Sequence, residues 1–284
     1  MIILVSRKLV DRIFTVSVTL LALVAVLPIF HIIYYITIKG LPVVLEGGVN
    51  FFTQIPPSPI RVNELGGIAP AIAGTLFMTA VATVIAVPIA VLASVFSAEY
   101  PNHNLTKIVR ATSRSLLEVP TIVIGIVVFA LLVMPFGRFT AIAGAVALAI
   151  VMIPYVYTYT ELALLSVPRT YIEAAYGIGM KRAQVIYMVT MGVARRGIVR
   201  GITIAIAKAM GETAPLLFTA FGARNMIFGG PLEPSDAITL MIYVFIQSPF
   251  EHWHRIAWGA AFLLLVLYLT LFLISRRLVG EVRV

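Results

Sequence analysis

Six long apolar runs dominate the chain, near residues 13–36, 69–97, 117–136, 139–160, 197–222 and 256–275. Each is long enough to cross a hydrocarbon core of about 30 Å, which takes about 20 helical residues. Backbone amides find no water in lipid, so the runs predict helices, and the short alternating segments of a membrane barrel are missing. Only Gly137 and Arg138 separate the third run from the fourth. That pair reads either as two spans or as one interrupted unit with a re-entrant turn. Residues 37–68, with Pro42, Pro56, Pro57, Pro59 and the pairs Gly47-Gly48 and Gly66-Gly67, predict irregular structure. Residues 223–255 begin with a Gly229, Gly230, Pro231, Pro234 cluster, followed by an apolar stretch at 237–246 expected as a short helix on the outer surface. No internal repeat is visible, so residues 1–284 read as one transmembrane domain.

Composition agrees with the pattern. Hydrophobic residues make up 61% of the 284 and charged residues 12%, and mean hydropathy is +1.03. A soluble domain carries about twice that charge, so a soluble enzyme or a disordered chain is excluded. The absence of cysteine excludes disulfides, thiol catalysis and Cys-ligated zinc. The first run, behind Arg7, Lys8 and Arg12, has 24 uncharged residues. A removable signal peptide has a core of about 7–15, so this run is expected to stay as an anchor.

Charge sets an orientation. The amino end, the loop with Lys107, Arg110 and Arg114, the loop at 161–200 and the tail together hold fifteen basic residues; the opposite loops hold five. The positive-inside rule then places both termini in the cytoplasm. The net charge of +9 lies wholly on that side, so nucleic acid is not needed to explain it. The contact expected instead is membrane lipid.

Two places carry candidate chemistry. In the loop 161–196, Pro168 suits a helix start, Glu173, Ala174, Ala175 and Tyr176 follow, and Gly177 and Gly179 break the helix before a second one near Met180. Small alanines and one carboxylate fit a docking segment for another protein; an amphipathic connector on the headgroups fits equally. The second place is Lys208-Ala-Met-Gly-Glu212 in the fifth run. A charge within a membrane costs about 2.5–3.5 kcal/mol on insertion scales, which makes it a functional candidate. Lys208 and Glu212, four apart, share a helix face. Pro215 removes the N–H that Gly211 would need, and Thr213 offers a hydroxyl beside that gap. These residues form either a polar transit point or an ion pair that only holds helices together. His252 and His254 around Trp253 are a weak metal signal without a third ligand and read better as an interfacial aromatic cluster, as do Tyr34, Tyr35, Tyr155, Tyr157 and Tyr159. His31 is expected to face another helix. No catalytic set, metal site or nucleotide loop is found.

Glu173-Ala-Ala, with Gly179 six residues on, resembles the EAA loop of prokaryotic ABC importer permeases. The positions that would close that motif are Val189, Thr190, Met191 and Gly192, without the usual proline. The run Lys208-Ala-Met-Gly-Glu-Thr-Ala-Pro-Leu-Leu-Phe-Thr-Ala220 resembles phosphate transport permeases of the PstA kind, supported by Gly74-Thr75-Leu76, Val119-Pro120-Thr121, Ser166-Val167-Pro168-Arg169 and Ser248-Pro249-Phe250. That family often has Arg at the positions of Lys208 and Thr158. The resemblance implies an all-α, six-helix, type I ABC importer permease of the MetI-like fold with a cytoplasmic coupling helix at Glu173, Ala174, Ala175 and Gly179. It implies a substrate path past Lys208, Glu212, Thr213 and Pro215. Its partners would be a second permease subunit, two copies of an ATPase that binds the ATP, and an extracytoplasmic phosphate-binding protein in a prokaryotic plasma membrane. The chain itself would bind no cofactor and catalyse no reaction. The alternatives are a permease for sulfate, molybdate or phosphonate, or a secondary transporter, for which no inverted repeat is seen.

Overall fold

The computed structural model describes residues 7–61 and 64–279. Among them the chain is helical: α1 (Arg7–Thr53), α2 (Ala69–Glu99), α3 (Asn104–Glu118), α4 (Thr121–Val128), α5 (Met134–Phe136), α6 (Ala141–Leu165), α7 (Arg169–Gly177), α8 (Arg182–Gln184), α9 (Met191–Met210), α10 (Ala214–Leu217), α11 (Ile238–Ile246) and α12 (Glu251–Val279). Wider π turns at Phe129–Val133 and Val185–Thr190 join α4 to α5 and α8 to α9.

The centre is α6, held between α2 and α9. Apolar side chains gain nothing by leaving lipid for a protein of equal polarity, so membrane helices associate through close backbone approach at small residues. Ala82, Ala86 and Ala90 of α2 and Ala141, Ala145 and Ala149 of α6 are all buried in one cluster. Each set repeats every four residues and therefore forms one stripe. On the other side Gly197 and Gly201 of α9 lie against Ala163 and Tyr159 of α6, where a Cβ would collide. A second cluster joins α1, α11 and α12 through Val43, Phe51, Met241, Phe245 and Ile256.

Four helices are long and apolar enough to cross a membrane: Val10–Thr53, α2, α6 and α12. A fifth crossing is possible if α3 and the α4–α5 unit count together, bent by 105°. α9 does not qualify on composition, because its twenty residues include Arg195, Arg196, Arg200 and Lys208. The third and fourth runs are separate helices, turning at Gly137 (φ 66) with Thr140 capping α6 by accepting from the Ala143 N–H at 3.0 Å.

Several expectations need correction. Of the stretch 37–68 expected to be irregular, residues 54–61 and 64–68 are so, but residues 37–53 are helix, with Pro42 inside it and a non-helical Gly48. Packing overrides local propensity here: Gly40 lies directly on the Trp258 backbone and Gly259 on Phe51. Residues 104–118 form an unforeseen amphipathic helix, which delays the third span to Thr121. α11 is helical as expected but does not lie on the surface. Its Ile238, Leu240, Met241 and Phe245 are buried, and its first N–H is held by Thr75 of α2 at 2.9 Å. His31 is exposed and stacks only on Tyr35 of its own helix. Tyr157 is core rather than belt. The apolar first half of α1 is not buried within the chain at all, so lipid or another subunit must cover it.

Candidate functional site

The helix from α8 through the π turn to α9 runs without a break from Arg182 to Met210, 29 residues. At 1.5 Å per residue it is a rod of about 43 Å. Both candidate sites lie at its ends. The expected second loop helix and the fifth span are therefore one element, starting at Arg182 rather than near Met180.

At one end, α7 packs back on the π turn. α7 continues through Gly177 and ends at the left-handed Gly179 (φ 82), with the Gly179 and Met180 N–H groups donating to the Tyr176 and Ala175 carbonyls at 2.9 and 3.1 Å. Gly179 supplies the positive φ without a Cβ penalty. Glu173, Ala174 and Gly179 are exposed, while Ala175 is buried and fixes α7 to the bundle. Around them Ile178 (80% exposed), Tyr187 (75%), Met188, Tyr171 and Tyr176 form an uncovered apolar rim. The platform beneath is tied by charge. Arg182 bonds Glu99 of α2 at 3.2 Å and lies over Tyr100 at 4.4 Å, and Arg110 of α3 bonds Glu161 of α6 at 2.7 Å.

At the other end the rod stops, so the expected kinked helix is a helix end. The Gly211 N–H donates to the Lys208 carbonyl at 3.1 Å and the Glu212 N–H to that of Ala209 at 3.1 Å. The chain then resumes in α10 with Pro215 in the first turn, where a missing N–H costs nothing. A Cβ at Gly211 would collide with the Tyr268 hydroxyl of α12. Lys208 Nζ lies 2.6 Å from Glu212 Oε1, an ion-pair distance. Oε1 is buried and has no partner other than this ammonium. The lysine side chain is 42% exposed and the glutamate 5%. The pair is thus a cation open to its surroundings above a buried acceptor. Thr213 is half-buried beside them and makes no cap bond with its side chain. The Glu212 carbonyl is held by Thr239 Oγ1 of α11 at 2.7 Å. Tyr268 and Thr239 carry no signal in the sequence because they lie far downstream and belong to no local pattern. Together, Lys208, Glu212, Thr213 and Pro215 sit at one break, and Glu173, Ala174, Ala175 and Gly179 around one exposed turn, at opposite ends of one rod.

Beyond the break, the segment 219–236 covers the start of α6: the Thr140, Ala141 and Ile142 N–H groups donate to the carbonyls of Thr219, Glu233 and Pro231. Asp236, fully buried, accepts from Arg224 at 2.9 and 3.3 Å. Burial pushes its carboxyl up to about 6, although Arg224 pulls the other way. A carboxyl raised in the folded state favours folding below its unfolded value, and that advantage is lost as pH rises through the folded one. Thermal unfolding of the detergent-solubilised chain is therefore expected to show stability falling between pH about 4 and about 6, a slope that Asp236→Asn flattens. His252 and His254 lie apart; His252 packs against Phe250 and Trp253, as an aromatic cluster requires.

The described residues form a bundle of apolar helices, several of membrane-crossing length, with a break and an exposed turn at the two ends of one rod. The family described as binding-protein-dependent transport system inner membrane component matches residues 86–284, and the chain belongs to it. It is 46% identical over 266 residues to the probable phosphate transport system permease protein PstA of Methanocaldococcus jannaschii, covering 94% of this chain and 92% of that one. Against the phosphate transport system permease protein PstA of Haemophilus influenzae it is 37% identical, over 86% and 85% of the two chains. The fold is that of ABC importer permeases. A chain of the inward-facing MetNI methionine ABC transporter superposes with a TM-score of 0.57 at 20% identity, over 75% of this chain and 92% of that one. An amino acid ABC transporter chain superposes with a TM-score of 0.52 at 22% identity, over 73% and 94%.

Proposed function

We propose that this chain is a permease subunit of an ATP-driven phosphate importer. The observation that carries the mechanism is the unbroken helix from Arg182 to Met210, which joins the Gly179 turn to the Lys208–Glu212 break. The phosphate assignment is supported by the names of the relatives that match nearly the whole chain. The exposed rim of Ile178, Tyr187 and Met188 around Glu173, Ala174 and Gly179 is the kind of apolar patch that a partner covers, here a cytoplasmic ATPase subunit. Two ATPase copies, a second permease and an extracytoplasmic phosphate-binding protein complete the assembly. When nucleotide binding closes the ATPases, the turn moves and the rod carries the displacement to the break. There the open lysine attracts a phosphate oxyanion. Glu212 tempers that attraction so that the ion is released onward. Mild-detergent purification tests this reading: an ATPase subunit should follow the wild-type chain, and its absence would contradict the coupling role.

The orientation follows from fifteen basic residues against five, with both termini and the Gly179 turn in the cytoplasm. Ser166 and Ser58 are exposed at opposite ends of the bundle, and the chain has no cysteine to interfere. With a membrane-impermeant maleimide on intact cells, Ser58→Cys should label and Ser166→Cys should not. The reverse result inverts the topology.

A further inference from the structure

α3 is too short and too polar to cross a membrane. Its fifteen residues carry Lys107, Arg110, Arg114 and Glu118, and a crossing takes about 20 predominantly apolar ones. It is also turned aside: α3 meets the apolar α4–α5 arm at a bend of 105°. With that arm running across the bilayer, α3 lies close to the membrane plane. Residues 119 and 120 are the joint, so the carboxyl end of α3 stands at the level where the apolar arm begins.

The helical repeat divides α3 into three faces. One is packed. Thr106 and Ser113, seven apart, are buried. The Thr106 hydroxyl donates to the Tyr100 carbonyl at 2.7 Å, and Arg110 reaches Glu161 of α6 at 2.7 Å. Val109, at the edge of this face, touches the central cluster. The second face is apolar and open: Leu105 is 48% exposed and Ile108 60%, and exposed Thr112 continues their line. The third, opposite the second, is basic and open. Lys107 and Arg114, also seven apart, are exposed, and among the described residues neither has an ion-pair partner. The acid of this helix, Glu118, stands at its carboxyl end. Polar groups thus hold α3 to the bundle, while Leu105 and Ile108 point away from it. In water that arrangement is inverted; beside a second apolar phase it is not.

We propose that α3 is an interfacial helix that binds the anionic lipid headgroups of its leaflet, with Leu105 and Ile108 toward the acyl chains and Lys107 and Arg114 among the headgroups. A lysine- and arginine-bearing face opposite an apolar one, on a helix lying flat, is the pattern that settles about 5–10 Å into the headgroup boundary and favours anionic lipid. The bend selects lipid over a soluble partner: an apolar face held at the level where the next span enters the bilayer meets lipid first. The site depends on the chain lying in a membrane and not on what it carries across. Lipid bound here braces the platform, because Arg110 holds α6 and Thr106 holds Tyr100, whose ring lies 4.4 Å beneath the Arg182 guanidinium at the base of the rod.

The test uses the whole complex, ATPase included, in phosphatidylcholine nanodiscs with a minor share of phosphatidylglycerol. Thr112→Cys in this cysteine-free chain carries a fluorophore. Brominated phosphatidylglycerol should quench it several-fold more than the same share of brominated phosphatidylcholine. Lys107→Gln with Arg114→Gln should bring the two lipids within about twofold of each other, since each basic group near an anionic surface is worth about fivefold. The wild-type preference should also shrink at about 1 M salt. Both side chains are exposed, so the double variant should melt like wild type in pure phosphatidylcholine. Added phosphatidylglycerol should raise the melting temperature of wild type and not that of the variant, as a ligand of the folded state does. Inorganic phosphate at matched ionic strength should leave the quenching unchanged. Equal quenching by the two lipids in wild type, an unchanged preference in the double variant, or loss of preference to inorganic phosphate overturns the anionic-lipid site. Absence of quenching by either lipid, or quenching only when the ATPase is left out, overturns the interfacial placement and gives α3 to a protein partner. The permease reading stands under each of these results.

Discussion

Replacing Lys208 by Met should cost both transport and stability, whereas Glu212→Gln should cost transport and little stability. The asymmetry comes from exposure. The lysine is 42% exposed and the glutamate 5%. Removing Lys208 strands a buried carboxylate, and breaking a buried pair costs up to about 3–5 kcal/mol unless the acid takes a proton. Removing Glu212 leaves an ammonium that is open on one side, where water of the transit path can reach it, so the cost is smaller than that of a stranded buried carboxylate. Changing both together should restore most of the stability, because no lone charge remains, but not the uptake. Melting temperature and phosphate uptake of the three variants, with ATPase partners present, give the answer. Normal uptake by the double variant would reduce the pair to a structural tie.

The second large effect is expected at Gly179→Asp. The glycine sits at φ 82, with nothing within 4 Å of the point where a Cβ would stand, so the side chain has room. The backbone is the obstacle: a left-handed residue with a Cβ costs about 1–2 kcal/mol, and the new charge stands in the middle of an apolar rim. The turn lies outside the bundle, so the permease should still insert and melt within a few degrees of wild type. ATPase co-purification and uptake should fall about tenfold or more, as loss of a central contact does. Wild-type co-purification with full uptake would remove Gly179 from the coupling surface.

Much of this architecture was legible in the apolar pattern. α2, α6 and α12 begin and end within a few residues of their runs, or extend them by a turn or two at the ends. The failures share a cause. Pro42 and the Gly47, Gly48 pair look like loop punctuation, and only the burial of Val43 and Phe51 against α12 keeps that stretch helical. Pro215 looks like a kink within one helix; the Gly211 and Glu212 N–H groups, turned back to the Lys208 and Ala209 carbonyls, show instead that the rod ends there. At the candidate site the local pairs were readable: Lys208 with Glu212 by their spacing of four, and the Gly179 turn by its glycines. The contacts that hold the break in place, Tyr268 and Thr239, come from helices far along the chain. A one-dimensional pattern cannot carry such contacts.

The most direct measurement is uptake of labelled phosphate by proteoliposomes holding this chain, its partner permease and the ATPase, with ATP inside and the binding protein outside. The account predicts uptake that needs both ATP and the binding protein, is displaced by unlabelled phosphate and is untouched by an equal excess of sulfate. Uptake of sulfate in place of phosphate, or phosphate uptake that ignores ATP, would contradict it.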